Sequence, residues 1–272
     1  MMTPDEGYFF GIGAFETVAV EEGKPVLLTE HYARLFRAMD FFHIRISADE
    51  LKEKVADALA EPDMKTGRRV LKITVSQKNL LVTTRKNTYC EQDYQRGFIT
   101  DFSTVRRNET SPFTYHKTLN YGDCLMEKRL ARSRNIDEPV FLNTKGTIAE
   151  GASTNVFFVK NSRLFTPPVS SGLLPGIMRS YICENNDVQE TELYPEDIAQ
   201  FEEMFLTNSL LGVMPVVSLG EHRFLSQNTG CRLLSKYREF ILKEDELTAN
   251  FSQRRSGEPS RRVSVGDGFH LS

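Results

Sequence analysis

Lys117 and Glu150 are the two residues of this 272-residue chain whose types and settings could carry chemistry. Lys117 lies in YHKTLNY (115–121), between two structured segments, where desolvation would lower the pKa of its amine and an aldehyde could reach it. Glu150 lies in TIAEGASTN (147–155), after a strand-like run and before a row of small hydroxyl residues, which suits the rim of a polar site. On spacing alone each has an ordinary alternative. The chain carries 34 lysines and arginines, most of which must be solvated surface charges, and a glutamate in such a place can equally be a solvated turn. Arg85, in TTRKN (83–87), is a candidate cation for an anionic ligand and equally a surface arginine.

The elements that must position these residues follow from periodicity. Residues 15–20 alternate as a strand, with a short return strand over 25–28 after the turn at 22–24. Leu35, Met39 and Phe42 share one stripe of a helix over 30–42, and Leu51, Val55, Ala58 and Leu59 mark a second. Strands are expected over 70–75 and 97–105, with an irregular polar stretch at 89–95. A helix over 123–134 precedes short strands at 139–142, 147–149, 155–160 and 163–166. Pro175 introduces a helix running to 183, a strand spans 204–206, and a last helix covers 232–243. The expected organisation is α+β: a small α/β lobe over 1–105, a linker over 106–112, a strand-rich, barrel-like lobe over 113–248, and a disordered tail over 249–272.

Composition narrows the functional classes. Charged residues make up 26% and apolar ones 40%, with a formal net charge of −3, so no basic surface argues for nucleic acid and a small molecule is the expected ligand. Cys90, Cys124, Cys183 and Cys231 form no paired or His-associated cluster, which predicts reduced thiols and no zinc or other metal site. Without an apolar run of membrane-spanning length or a leader-like start, a cytoplasmic protein with no membrane partner is expected. The pair Gly11 and Gly13 does not make a dinucleotide loop, because a strand follows where that motif needs a helix.

Taken in order, EHYARL (30–35), HKTLNY (116–121), EGASTNVF (150–157), TPP (166–168), LPGIMR (174–179) and TNSLLGVMP (207–215) resemble the class IV aminotransferase family, the fold type IV pyridoxal-phosphate enzymes, from about Gly11 to Lys243. The resemblance implies that Lys117 carries pyridoxal 5'-phosphate covalently and later serves as general base and acid. It implies further that Glu150 faces the ring nitrogen, that Arg34 grips the phosphate bidentately, and that the Ile177 and Met178 amides meet it at a helix N-terminus. Asn208 and Ser209 would lie on the phosphate side, and Tyr121 beside the phenolic oxygen or simply packed in the core. Members are usually homodimers. Met178 stands where many transaminases have threonine, leaving only its amide for the phosphate, and the leading strand is expected to be short or missing.

Three chemistries share this scaffold, and the fold does not choose among them. Branched-chain enzymes usually place two glycines between the lysine and the Asn-Tyr pair, where this chain has only Thr118 and Leu119. D-amino-acid enzymes usually carry an Arg-x-His carboxylate trap, absent from QKNLL (77–81). GIMR (176–179) and NSLLGVMP (208–215) resemble the aminodeoxychorismate lyase branch, which releases 4-aminobenzoate and pyruvate. Class IV transamination of branched-chain or D-amino acids is the alternative. A non-catalytic protein that only binds the cofactor is a third, against which the intact Lys117 and Glu150 argue.

Overall fold

A computed structural model describes residues 2–256, and the side chains of residues 2–242. After a short helix α1 (Glu6–Phe10), strand β1 (Gly13–Glu21) pairs antiparallel with β2 (Lys24–Pro25) and β3 (Arg68–Ser76), and β4 (Leu80–Lys86) closes a sheet ordered β2-β1-β3-β4. Helices α2 (Leu28–Phe41) and α3 (Ala48–Ala60) cover it. Leu35, Ala38 and Met39 of α2 and Leu51 and Val55 of α3 meet Val18, Val20, Leu71 and Ile73 in one core. The stripe repeats every three to four residues, as a helix on a sheet requires. The Ser47 side chain accepts from the Asp49 and Glu50 amides and caps the acidic first turn of α3.

The second sheet gathers β5 (Phe98–Arg107), β6 (Glu138–Asn143), β7 (Ile148–Gly151), β8 (Asn155–Lys160), β9 (Arg163–Thr166), β10 (Val188–Glu190), β11 (Glu203–Asn208), β12 (Gly212–Leu219) and β13 (His222–Arg223). Its path runs β10-β9-β8-β11-β12-β5-β6-β7, with β13 paired to β12. Every residue of β6 and β7 is buried, so the sheet is covered on both faces there, with Val140, Ile148, Val156, Phe157 and Phe205 at its centre. Helices α4 (Glu91–Arg96), α5 (Gly122–Ser133) and α6 (Ile177–Asn185) pack between the strands, and α7 spans Asn228–Ser256. The α+β class expected from the pattern of elements is what forms.

Several boundaries fall elsewhere than expected. The strand expected to end the first lobe at residue 105 is β5, which runs to Arg107 and belongs to the second sheet, parallel to β6 and β12. Its partners come from later in the chain, so local pattern could not assign it. The expected linker therefore starts inside a strand. Residues 80–86, left without a strand, form β4, an edge strand whose exposure alternates although its residue types, LLVTTRK, do not. The polar stretch at 89–95 contains α4, where the Asp93 carboxylate accepts from the Cys90 amide at 2.9 Å. Helix α7 continues past residue 249 to Ser256, and the rest of the expected tail, 257–272, lies outside the described residues. No helix among the described residues is long and apolar enough to cross a membrane.

Candidate active site

A cavity of about 500 Å³ opens between the two sheets, with Phe15 and Arg34 on one side and Lys117, Glu150, Gly176 and Thr207 among its other walls. Lys117 reaches it because its segment is stitched onto the start of β1. The Phe15 amide donates to the Lys117 carbonyl at 2.9 Å, the Leu119 amide donates to the Gly13 carbonyl at 3.0 Å, and Ala14 and Thr118 form a bridge. Gly13 is required by this approach, since a Cβ would meet the Val75 carbonyl at 2.6 Å and Leu119 at 2.7 Å. The Lys117 Nζ rests 4.4 Å from the Phe15 ring centre and 5.3 Å from that of Tyr121, without a hydrogen-bond partner among the described residues. The side chain is half-buried because the cavity reaches it, yet protein crowds the amine. Desolvation, with Arg34 adding repulsion, brings its pKa down from 10.5 to about 8 against the pull of Glu16 and Glu150. An appreciable neutral fraction near pH 7 makes it a nucleophile and a proton acceptor.

Glu150, on β7, is 4% exposed. Arg107 grips its Oε1 through Nη2 and through Nε at 2.9 Å, and Oε2 accepts from the Leu174 amide at 3.0 Å. Burial nonetheless raises its pKa, outweighing Arg107. Arg107 sits at the end of β5 with its guanidinium 5.3 Å from the Phe141 ring centre. The residue was hidden within the presumed linker, and its one visible signal is the basic pair it makes with Arg106.

Arg34 is held by a residue that the sequence patterns did not single out. Its Nε and Nη2 donate to the two oxygens of Glu16, each at 2.7 Å, and its Nη1 donates to the Pro175 carbonyl at 3.3 Å. The bidentate edge expected to hold phosphate is thus spent on Glu16, and the opposite edge remains for an anion. His31 Nδ1 lies 2.6 Å from the same carboxylate. Glu16 is fully buried, and the Arg34 guanidinium, helped by the hydrogen bond to His31, holds its carboxyl well below the usual range despite that burial. A glutamate among Ala14, Phe15, Val18, Ala19 and Val20 of β1 is the signal available in the sequence.

Beside Arg34, α6 begins at an uncapped N-terminus: the Ser180 amide is the first to reach a helical acceptor, Gly176 O at 2.9 Å, so the Ile177 and Met178 amides precede the ladder. A Cβ on Gly176 would overlap Asn155 Oδ1, so glycine keeps this edge of the cavity open. The Met178 side chain is buried, leaving its amide as expected. Thr207, at the end of β11, lines the cavity with a buried hydroxyl that has no partner among the described residues. Ser209 also lines it. Asn208, by contrast, spends its side chain on backbone, accepting from the Leu210 and Leu211 amides and donating to Ser153 O. It shapes the turn while still lining the cavity. Tyr121 donates its hydroxyl proton to the Ala152 carbonyl at 2.6 Å, so it can only accept from a ligand. Arg85 stands exposed on the cavity wall, its Nη1 on Lys86 O.

The model of the class IV amino-transferases matches residues 13–219. The chain belongs to this family, whose enzymes depend on pyridoxal phosphate. It is 28% identical over 248 residues to the aminodeoxychorismate lyase of Bacillus subtilis (strain 168), covering 82% of this chain and 83% of that one. It is 29% identical over 245 residues to a Thermotoga maritima protein provisionally assigned as a branched-chain-amino-acid aminotransferase, covering 85% and 87%. A crystal structure from Legionella pneumophila, provisionally assigned as a 4-amino-4-deoxychorismate lyase, superposes with a TM-score of 0.75 at 26% identity, covering 90% and 96%. The architecture is that of the fold type IV enzymes.

The cavity's own features fit the family's cofactor. An unpaired lysine of lowered pKa, a buried carboxylate, the edge of Arg34 turned away from Glu16, an open helix N-terminus and the orphan hydroxyl of Thr207 are the donors and acceptors that an aldehyde, a pyridine nitrogen and a phosphate need.

Proposed function

We propose that this chain is a pyridoxal-phosphate-dependent aminodeoxychorismate lyase, converting 4-amino-4-deoxychorismate to 4-aminobenzoate and pyruvate. The observation that carries this reading is the surplus of cations on the cavity wall. Arg85, Arg106 and Arg132 line it and none has an acidic partner among the described residues, whereas Arg34 and Arg107 are already paired. A substrate with two carboxylates uses such a surplus. A branched-chain amino acid offers one carboxylate and wants an aliphatic wall, which Leu174, Ile177 and Leu210 supply only in part among threonines, asparagines and serines.

In this proposal Lys117 binds the cofactor, Glu150 faces its ring nitrogen, and Arg34, the Ile177 and Met178 amides, Thr207 and Ser209 hold its phosphate. When bound, the cofactor supplies a sink for the electron pair released at the substrate carbon. Lys117, freed when the substrate amine takes its place, accepts the proton from the carbon bearing that amine, which its lowered pKa favours. The enolpyruvyl group then leaves with the electrons of its C–O bond and becomes pyruvate as the ring turns aromatic, so no acceptor acid is consumed. Glu150, fixed by Arg107 and the Leu174 amide, keeps its charge aimed at one place.

The test is stoichiometry. Aminodeoxychorismate supplied without a 2-oxo acid should yield 4-aminobenzoate and pyruvate in equal amounts. Amino transfer from D-alanine or L-leucine to 2-oxoglutarate with no 4-aminobenzoate would overturn the lyase and leave a class IV aminotransferase. A homodimer belongs to the same proposal, supported by the exposed Phe9 and Phe10 on α1 and Leu125 and Met126 on α5, and is tested by sedimentation.

A further inference from the structure

The segment between β5 and Lys117 places two rings on the cavity wall, Phe113 and His116. Both are held from behind by the C-terminal end of α2. His116 stacks on Phe41 at 4.3 Å with 17° between planes, and Phe113 meets Phe42 edge-on at 5.3 Å and Phe41 at 6.1 Å. The segment itself is pinned along its length. Thr114 Oγ1 donates to Asn108 O at 2.8 Å, the Tyr115 hydroxyl donates to Glu109 O at 2.6 Å, and the Glu109 carboxylate accepts from the Thr144 hydroxyl at 2.6 Å. Pro112 opens the short helical turn that carries Phe113. The rings are therefore in place before any ligand arrives.

From this geometry we propose that Phe113 and His116 are specificity-determining residues, a preformed aromatic wall that selects a planar, carboxylated six-membered ring beside Lys117. The inference rests on the lyase reading and names how that site recognises its substrate. One face of His116 is covered by Phe41 while the residue still lines the cavity, next in sequence to the reactive lysine. Partial burial, with Arg37 nearby, lowers the affinity of His116 for a proton, so near neutral pH it acts as an uncharged ring. The free arginines at the same cavity supply the carboxylate partner. The substrate ring is puckered at its sp³ carbons and flattens as the proton and the enolpyruvyl group leave, so stacking strengthens along the reaction.

The experiment uses the full chain loaded with cofactor and measures equilibrium binding of 4-aminobenzoate and of cyclohexanecarboxylate, which has the same charge without planarity. The wild type should prefer the planar acid roughly three- to tenfold, the range of one or two ring contacts. Phe113→Leu and His116→Leu should erase the preference, while Phe113→Tyr and His116→Phe, which keep a ring, should retain it. Borohydride labelling of Lys117 verifies loading in each variant, and the ring-keeping pair decides the matter if a leucine variant fails to load. A wild type without preference, a preference that survives in both leucine variants, or its loss in both ring-keeping variants overturns the wall. Turnover of aminodeoxychorismate alongside any of these leaves the lyase standing. Ring selection lost only in the leucine variants, without turnover, leaves the wall and removes the lyase.

Discussion

Two buried arginine–glutamate pairs flank the cavity, and they are built differently. At Glu16 both carboxylate oxygens meet Arg34 at 2.7 Å, one also meets His31, and the carboxyl is held far down in pKa. At Glu150 both Arg107 contacts fall on one oxygen, the other has only a backbone amide, and burial wins, so the pKa rises. Each carboxylate meets three donors, two on one oxygen and one on the other, so the count does not separate them. What differs is access: Glu150 lines the cavity, whereas Glu16 stands behind Arg34 and serves to fix that cation. Pairing with arginine does not by itself tell structure from chemistry; access to the cavity does.

The largest expected effect lies between the pairs. Lys117→Ala should abolish borohydride-trappable cofactor and turnover together, and a variant labelled at wild-type stoichiometry would show that the attachment site is elsewhere. Next comes Glu150→Gln, which should keep cofactor bound and slow turnover by about a hundredfold or more, the usual worth of such a group. Unchanged turnover would make Glu150 structural, like Glu16. Glu16→Ala should act on the fold, since removing one partner of a buried pair costs about 3–5 kcal/mol. Denaturant unfolding measures it, and a loss below about 1 kcal/mol would mean that Arg34 finds another partner.

The smallest effect is a difference of sign with pH. Glu16 has a depressed pKa in the fold, so its stabilisation is complete above the ordinary 4.5 and is lost as pH falls below it. Glu150 has a raised pKa, so it favours the fold below 4.5, and that contribution is lost as pH rises through the folded value. Stability relative to Glu150→Gln should therefore improve from pH 7 to pH 5, while stability relative to Glu16→Gln should stay level over that interval. Parallel curves would erase the distinction.

The half of the proposed site that would meet ligand was legible in the sequence; the half that holds those residues was not. Lys117, Glu150, Arg34 and the α6 amides sit in ordered motifs, and the structure brings them to one cavity. Glu16 and Arg107 act through partners distant in the chain, and no local spacing announces such pairs. Asn208 closes a turn with its side chain, a use that one dimension does not distinguish from a place beside a ligand. The same limit applies to the fold. Helices α2 and α3 and the buried strands follow from periodicity, while β5 joins the second sheet through parallel partners that come later in the chain.

The stitch between the Lys117 segment and β1 bears on how the protein matures. Because the Phe15 and Leu119 amides bond the Lys117 and Gly13 carbonyls where the amine faces the cavity, the proposed attachment point needs both segments and does not exist in a fragment that lacks either. Capture of the aldehyde during refolding should accordingly lag behind helix formation and coincide with the final docking of distant segments, making the bound chromophore a built-in clock for the last step of assembly.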